Sequence, residues 1–244
     1  MIVVIGSPIG RLDDGVVSAG GMASRVALAA AGAGRVVQLV GRTGDDPTAD
    51  GVVLDLARGG VGHVALLRDP ARATPLEALP AREDDATDPA VDAPPTGNGP
   101  GQQRGGNDGP ALEAADVDLG LRYLTEFAVV VMAESVASDV VAIVAEAARW
   151  GEARMILVVG AGEAVPDGLP SDVIVLEKPD ADPDGAFAAM VGALAARLDA
   201  GTDPGEAFRA SIAADGWTGA VDDAGSAGKD GVEGDEAGPT RAAR

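Results

Sequence analysis

Cysteine is absent from the 244 residues, lysine occurs twice and histidine once. The lack of cysteine excludes disulfide bonds, thiolate zinc sites and cysteine nucleophiles. The shortage of cations leaves a formal net charge of −21, which repels nucleic acid and anionic membrane surfaces because both bind cationic faces. We therefore expect neither as a partner. The same charge opposes polyanionic ligands such as ATP unless local hydrogen-bond donors compensate for it.

Long apolar runs are also missing. No run reaches the length of a bilayer, and Met1 leads straight into the strand-like IVVIG rather than into a signal peptide. We expect a cytoplasmic protein. Apolar residues are scarce in 77–109 and 221–244. The length and this distribution predict a single domain over 1–220, interrupted by a disordered insertion at 77–109 and followed by a disordered acidic tail at 221–244.

The rest of the chain alternates short apolar runs with segments of helical periodicity. The runs that we predict as strands are Ile2–Ile5, Val36–Val40, His63–Leu67, Phe127–Met132, Met155–Val159 and Asp172–Leu176. The segments that we predict as helices include Thr48–Arg58, Ala137–Trp150, Pro183–Ala200 and Gly205–Asp215. Strands and helices that alternate at this spacing predict an α/β fold with a doubly wound, mainly parallel sheet flanked by helices.

The stretch from Gly20 to Thr48 carries a family resemblance. It reads GGMASRVALAAAGAGRVVQLVGRTGDDPT, with glycine turns on both sides of an alanine-rich helix and a short strand. Its GG-x-A, V-A and V-G-R-T-G-D-D-P letters resemble the N-terminal signature of the ribokinase-like (PfkB) carbohydrate kinases. The resemblance implies that Gly20, Gly21 and Gly41 lie at the substrate. Arg25, which we place in the same set, stands where the family has a sugar-contacting Asn.

The resemblance also implies a substrate-binding Asp and a lid of β-strands after the first strand. Only SPIGRLDDGVVSA lies between Gly6 and Gly20, which we interpret as too short for lid strands. Asp13 and Asp14 are candidates for the sugar-binding carboxylate. The favoured interpretation of both residues is an exposed acidic turn.

The middle of the chain extends the resemblance. AVVVMAESV resembles the family's strand that ends in Q-x-E-x-P, and it retains the carboxylate as Glu134. This residue follows a strand at its carboxyl end, where ligands bind in open α/β sheets. DVIVLEKPDA resembles D-V-x-x-x-N-x-x-E-A. The Asn and Glu of that motif, which help to organise Mg²⁺ and phosphate in the family, are Glu177 and Asp180 in this sequence.

The family then continues with further strands, a nucleotide-binding loop and a G-A-G-D motif that holds the catalytic base. Much of this nucleotide-binding region is missing here, and the four motif positions become Asp182, Pro183, Asp184 and Gly185. Pro183 lacks an N–H, and Asp182 is placed to cap the following helix, which would fill the anion site with a carboxylate. The base position is Gly185, so Asp184 remains as a displaced candidate base.

Three other patterns have ordinary structural interpretations. Residues 180–185 alternate acidic side chains as a calcium loop does, but the twelfth position is Val191 instead of Glu. We interpret them as a capped helix start and assign no metal site. His63 has no visible nucleophile partner, which indicates a structural residue. Gly160-Ala-Gly162 lacks the third glycine of a dinucleotide fingerprint, which indicates a tight turn.

Two functions remain open. The favoured hypothesis is a degenerate homologue that has lost ATP-dependent phosphoryl transfer and acts as a small-molecule-binding or assembly module. Its basis is that the lid, the substrate Asn, the nucleotide segment, the phosphate cradle and the base are altered together. The alternative is an active kinase that phosphorylates a sugar or nucleoside hydroxyl with ATP and Mg²⁺. We assign no cofactor under the first hypothesis, and the partner in either case is a small hydroxylated ligand.

The predicted loss of the lid has a consequence for assembly. An apolar sheet edge or face would then be exposed unless another subunit covered it. We therefore predict a homo-oligomer.

Overall fold

A computed structural model describes residues 1–77 and 109–215. The strands are β1 (Ile2–Ile5), β2 (Ile9–Asp13), β3 (Val16–Gly20), β4 (Val37–Gly44), β5 (Val61–Asp69), β6 (Val129–Met132), β7 (Arg154–Val159) and β8 (Ile174–Glu177). The helices are α1 (Gly21–Gly32), α2 (Pro47–Arg58), α3 (Ala114–Tyr123), α4 (Ser138–Trp150), α5 (Ala186–Asp199) and α6 (Pro204–Asp215). The predicted segments 77–109 and 221–244 lie outside the described residues, apart from Glu77 and Gly109.

Six strands form one parallel sheet in the order β5-β4-β1-β6-β7-β8. Strand β1 lies inside it, where Ile2 pairs with Val37 on one side and with Val129 on the other. Every residue of β1 is apolar and buried, because helices cover both faces of such a sheet. The predicted doubly wound, parallel α/β architecture is confirmed.

The helices lie in two layers, one on each face of the sheet. Helices α1, α2, α5 and α6 pack on the face that contains Ile2 and Val4. Helices α3 and α4 pack on the face that contains Val3 and Ile5. Successive side chains of a strand point to opposite faces, so β1 contributes two residues to each core. None of the helices in the described part of the chain is long and apolar enough to cross a membrane.

A hairpin between β1 and α1 corrects the sequence prediction. Strands β2 and β3, each of five residues, pair in antiparallel fashion in the segment whose length predicts no lid strands. That prediction is wrong. Asp14 and Gly15 form a two-residue turn with φ of 48° and 80°, and such a turn is the shortest common hairpin connection. With the hairpin present, the predicted homo-oligomer loses its premise and stays a prediction.

Helix α3 was not predicted from the sequence. Its first turn is held by a capping box, in which the Glu113 and Asp116 side chains each accept a hydrogen bond from the other's backbone N–H. Gly120 lies on its buried face, where an added Cβ would come 3.1 Å from Val40 and 3.2 Å from Ala65. The glycine therefore lets α3 lie close to the sheet.

The end of the sheet has a short connection. After β8 only residues 178–185 precede α5. No strand lies between β8 and α5. Asp182 in this connection contacts Arg25 of α1.

Candidate functional site

The candidate site lies at the carboxyl ends of β1 and β6. The chain leaves β1 toward β4 on one side, while β6 pairs with β1 on the other side. Strand order therefore reverses between β1 and β6. In open α/β sheets a ligand-binding crevice forms at this reversal. Ser7 and Glu134 follow the two strands at this point.

Glu134 is held by the backbone of the β1 exit. The Ser7 N–H donates a hydrogen bond of 2.6 Å to its Oε1. Gly6 adopts φ of 154°, and an added Cβ there would come 2.9 Å from Ala23 and 3.3 Å from the Glu134 carboxyl carbon. A side chain at position 6 would therefore push Glu134 out of place. The glycine at the end of β1 makes room for the carboxyl group.

Burial dominates the ionisation of Glu134. It raises the pKa of this carboxyl above the ordinary value of 4.5, while the Ser7 N–H and the positive charge of Lys178 act in the opposite direction. A carboxyl group that loses water without gaining a close cation favours its neutral form. Glu134 is thus a group whose charge depends on what enters its surroundings.

A cavity of about 550 Å³ opens beside Glu134. Its lining residues come from the end of β1 and the start of β2, the segment after β5, the segment before α3 and the segment after β6. They are Ser7, Ile9, Pro75, Gly109, Pro110, Ala111, Leu112, Glu134, Ser135, Val136 and Ala137. Small-molecule sites typically have volumes of about 300–1,000 Å³. The cavity therefore has the size of a site for a small ligand.

The N-terminus of α5 is occupied by a carboxylate of the chain itself. Asp182 Oδ1 accepts from the Phe187 N–H and Oδ2 accepts from the Ala188 N–H, each at 3.1 Å. The predicted capping role of Asp182 is confirmed. The predicted helix start at Pro183 is wrong, because residues 182–185 form a turn closed by Gly185 N–H to Asp182 O at 3.2 Å. Gly185 ends this turn at φ of 72°, and α5 begins at Ala186.

Arg25 holds the same turn in place. Its Nη1 donates to the Asp182 carbonyl at 2.9 Å, and its Nη2 donates to Glu77 Oε1 at 2.6 Å. The guanidinium group thus joins the start of α5 to the segment after β5. Within the described residues the Glu77 Oε2 atom is buried and has no hydrogen-bond partner. Arg25, at the position where the resemblance implies a sugar-contacting Asn, therefore makes an internal contact of the chain.

Two more backbone donors at this edge of the sheet are taken by acidic side chains. The Gly160 N–H donates to Glu163 Oε2 at 2.9 Å, and the Gly162 N–H donates to Glu177 Oε1 at 2.7 Å. The Ser135 hydroxyl also donates to Glu163. The hydrogen bond from Ser135, and after it the hydrogen bond from Gly160, lower the pKa of Glu163. Residues 160–163 form a turn, with Gly162 at φ of 67°, as the sequence predicted.

The predicted site residues do not all converge. Gly41 lies against Gly6 near the cavity, and Gly20 lies against Glu77 beside Arg25. Gly21 begins α1 at φ of 78°. Residues outside both places have exposed side chains: Asp13, Asp14, His63, Glu177, Asp180 and Asp184. Asp13 makes an ion pair of 2.9 Å with Arg11 in the hairpin. Across 1–77 and 109–215, no three acidic or histidine side chains are grouped as a metal site requires.

Sequence reasoning missed three residues of this region. Ser7 contributes through its backbone N–H, which any residue except proline could supply. Glu77 was placed at the start of the predicted insertion. Glu163 accepts from both the turn after β7 and a side chain after β6. No local pattern marks the contacts of Ser7 with Glu134, of Glu77 with Arg25 or of Glu163 with Ser135, because these partners are distant in sequence.

A pH-dependent stability change is expected for Glu134→Gln. Since the folded-state pKa of Glu134 is raised, the folded chain binds this proton more tightly than the unfolded chain does. Ionisation of Glu134 therefore lowers the free energy of unfolding above the raised pKa, and this cost disappears below about pH 4. Gln can still accept from the Ser7 N–H. We expect Glu134→Gln to be more stable than the wild type at about pH 8 and equal to it near pH 4.

Urea unfolding followed by circular dichroism at both pH values measures this difference. Glu146→Gln, an exposed change on α4, is the matched control and should show no such gain. A difference between Glu134→Gln and the wild type that stays constant from pH 8 to pH 4 would contradict the expectation.

Comparison with known proteins adds a structural relationship. No protein-family model and no curated protein matches the sequence. Among solved structures, Sa239 is 13% identical with a TM-score of 0.62, covering 86% of this chain and 92% of its own. Ribokinase from Arabidopsis thaliana, solved with ribose and ATP, is 14% identical with a TM-score of 0.54, covering 88% and 90%.

Phosphofructokinase-2 from Escherichia coli, solved with substrates and products, is 16% identical with a TM-score of 0.58, and the alignment covers 88% of this chain and 92% of that one. Identities this low establish shape alone. The predicted resemblance is confirmed at this level: the chain has the ribokinase-like α/β fold of the PfkB sugar kinases.

Proposed function

We propose that this chain is a degenerate ribokinase-like protein that binds a small molecule in the cavity beside Glu134 and has lost ATP-dependent phosphoryl transfer. The observation that carries the proposal is the Asp182 carboxylate on the Phe187 and Ala188 N–H groups of α5. A transferring phosphate needs free backbone donors of this kind. Here the donors already have an anionic partner that is part of the chain.

The surroundings of α5 support the same proposal. A nucleotide phosphate would have to displace Asp182, whose carbonyl is held by Arg25. Pro183 offers no N–H. Gly185, at the position of the family's base, has no group that accepts a proton from a hydroxyl. The residues present do not fit a bound phosphate at this helix.

The cavity supports the binding part of the proposal. None of the residues that line the cavity belongs to the turn 182–185. Loss of phosphate binding at α5 therefore leaves the Glu134 cavity intact. The hairpin β2–β3 is present, so the lid no longer counts among the altered parts.

ADP release is the assay that tests the proposed loss of transfer. The full chain is incubated with ATP and Mg²⁺ and a panel of sugars and nucleosides, and we expect no ADP above the background of the same mixture without protein. Sustained ADP formation that disappears in Asp184→Ala would overturn the proposal, because Asp184 is the candidate displaced base. Glu146→Ala, an exposed change on α4, is the control for surface charge.

A further inference from the structure

We infer that the cavity beside Glu134 selects a small ligand that carries a protonated amine on a hydroxylated body of about the size of a monosaccharide. This inference rests on the proposed binding function and adds the chemical class of the ligand. Its basis is the distribution of charge around the cavity.

Glu134 is the one lining residue, among those the structure describes, whose side chain can carry a charge. The other lining residues are serine, glycine, alanine, proline, isoleucine, leucine and valine. No arginine, lysine or histidine side chain is among them. A ligand in this cavity therefore meets a carboxyl group and no cation of the protein.

The carboxyl group is oriented, and among the described residues one backbone donor binds it. The Ser7 N–H binds Oε1 at 2.6 Å, which fixes the direction of the group. Lys178, the cation that acts on Glu134, has an exposed side chain and does not line the cavity. A carboxylate with one backbone donor can accept further charge-assisted hydrogen bonds. An ammonium group of the ligand would provide them.

The neighbouring backbone donors do not favour an anionic ligand. The Gly160 and Gly162 N–H groups at the same edge of the sheet are bound by Glu163 and Glu177. The net charge of −21 gives the whole protein a field that attracts cations and repels anions. The carboxyl group inside the cavity and the net charge of the protein therefore both favour a cationic ligand.

The volume and the lining of the cavity indicate the size and polarity of the rest of the ligand. A volume of about 550 Å³ accepts a ring of monosaccharide size and excludes nothing smaller. Polar groups of Ser7, Glu134 and Ser135 share the walls with the apolar side chains of Ile9, Leu112 and Val136. Such mixed walls suit a ligand with hydroxyl groups on an otherwise apolar ring.

Calorimetric titration of the full chain with three matched probes tests the inference. The probes are glucosamine, glucose and glucose 6-phosphate, which differ in charge more than in size. We expect glucosamine to bind about tenfold or more tightly than glucose, as one charge-assisted contact gives, and glucose 6-phosphate to give no saturable heat. In Glu134→Gln we expect glucosamine and glucose to bind equally, whereas Glu146→Gln keeps the preference.

Three results overturn the inference: equal binding of glucosamine and glucose to the wild type, no binding of glucosamine, or a preference that persists in Glu134→Gln. Circular dichroism confirms that the variant is folded. The outcome is independent of the ADP assay. If the wild type shows no amine preference and releases no ADP, this inference alone is rejected. If the wild type shows the preference and releases ADP, only the proposed loss of phosphoryl transfer is rejected.

Discussion

Replacing Gly192 with leucine is expected to destabilise the fold by about 3 kcal/mol or more. Gly192 lies in α5 where this helix crosses α1. An added Cβ would lie 2.6 Å from the Ala29 Cβ, 2.7 Å from the Val26 carbonyl oxygen and 3.0 Å from the Ala30 nitrogen. Two of these atoms belong to the backbone of α1, so no rotamer change relieves the overlap. The two helices would have to separate.

The expected loss is large relative to the total stability of a domain, which is typically about 5–15 kcal/mol. Separation of α1 from α5 would also open the core around Phe187 and Leu194, which are buried on α5. Since α1 carries Arg25 and α5 carries the capped N-terminus, the same substitution is expected to disrupt the contact between Arg25 and the turn 182–185.

The urea concentration at half-unfolding measures this effect. Gly32→Leu is the matched control, because Gly32 is on the partner helix α1 and an added Cβ there meets no atom within 4 Å. We expect the control to unfold close to the wild type and Gly192→Leu to unfold at much lower urea or to be unfolded without it. Equal midpoints for the two variants would contradict the close helix crossing.

Asp182→Ala is expected to have the second largest effect, in two parts. Loss of both acceptors for the Phe187 and Ala188 N–H groups is expected to lower stability by about 1–2 kcal/mol, which corresponds to a decrease in Tm of roughly 2–8 °C. The substitution also removes a negative charge from the N-terminus of α5 and frees its donors. Inorganic phosphate should then bind there, with Arg25 nearby as a cation.

Thermal unfolding with and without phosphate, at constant ionic strength adjusted with sodium chloride, separates these parts. Phosphate stabilises folded proteins in general, so the relevant quantity is the increase in Tm of the variant minus that of the wild type. We expect this difference to be positive for Asp182→Ala and zero for Asp180→Ala, a nearby exposed carboxylate. Identical phosphate responses of Asp182→Ala and the wild type would show that the α5 donors are not blocked by Asp182 alone.

The main sheet could be predicted from the sequence because its signals are local. Runs such as Ile2–Ile5 and Val129–Met132 are apolar at each position, and helix α2 begins with the Asp46-Pro47 signal, whose Asp46 carboxylate accepts from the Ala49 N–H at 2.8 Å. The capping by Asp182 was predictable for the same reason. Each of these features depends on residues within a few positions of one another.

The hairpin was missed although its signal is present. Asp14-Gly15 is a typical two-residue turn between strands, and our comparison with longer lid strands outweighed it. The role of Arg25 was not predictable in this way. Its partners Glu77 and Asp182 lie 52 and 157 positions away, and only the folded sheet brings them together. Contacts of this range leave no periodic pattern in a single sequence.

The central claim is that the Asp182 carboxylate occupies the place of a phosphate at the N-terminus of α5. Titration calorimetry of the wild-type chain with ATP and Mg²⁺ tests this claim most directly. We predict no saturable heat through the micromolar-to-millimolar range in which enzymes usually bind their substrates. Saturable binding of ATP that weakens in Asp184→Ala, a change within the turn 182–185, would contradict the claim.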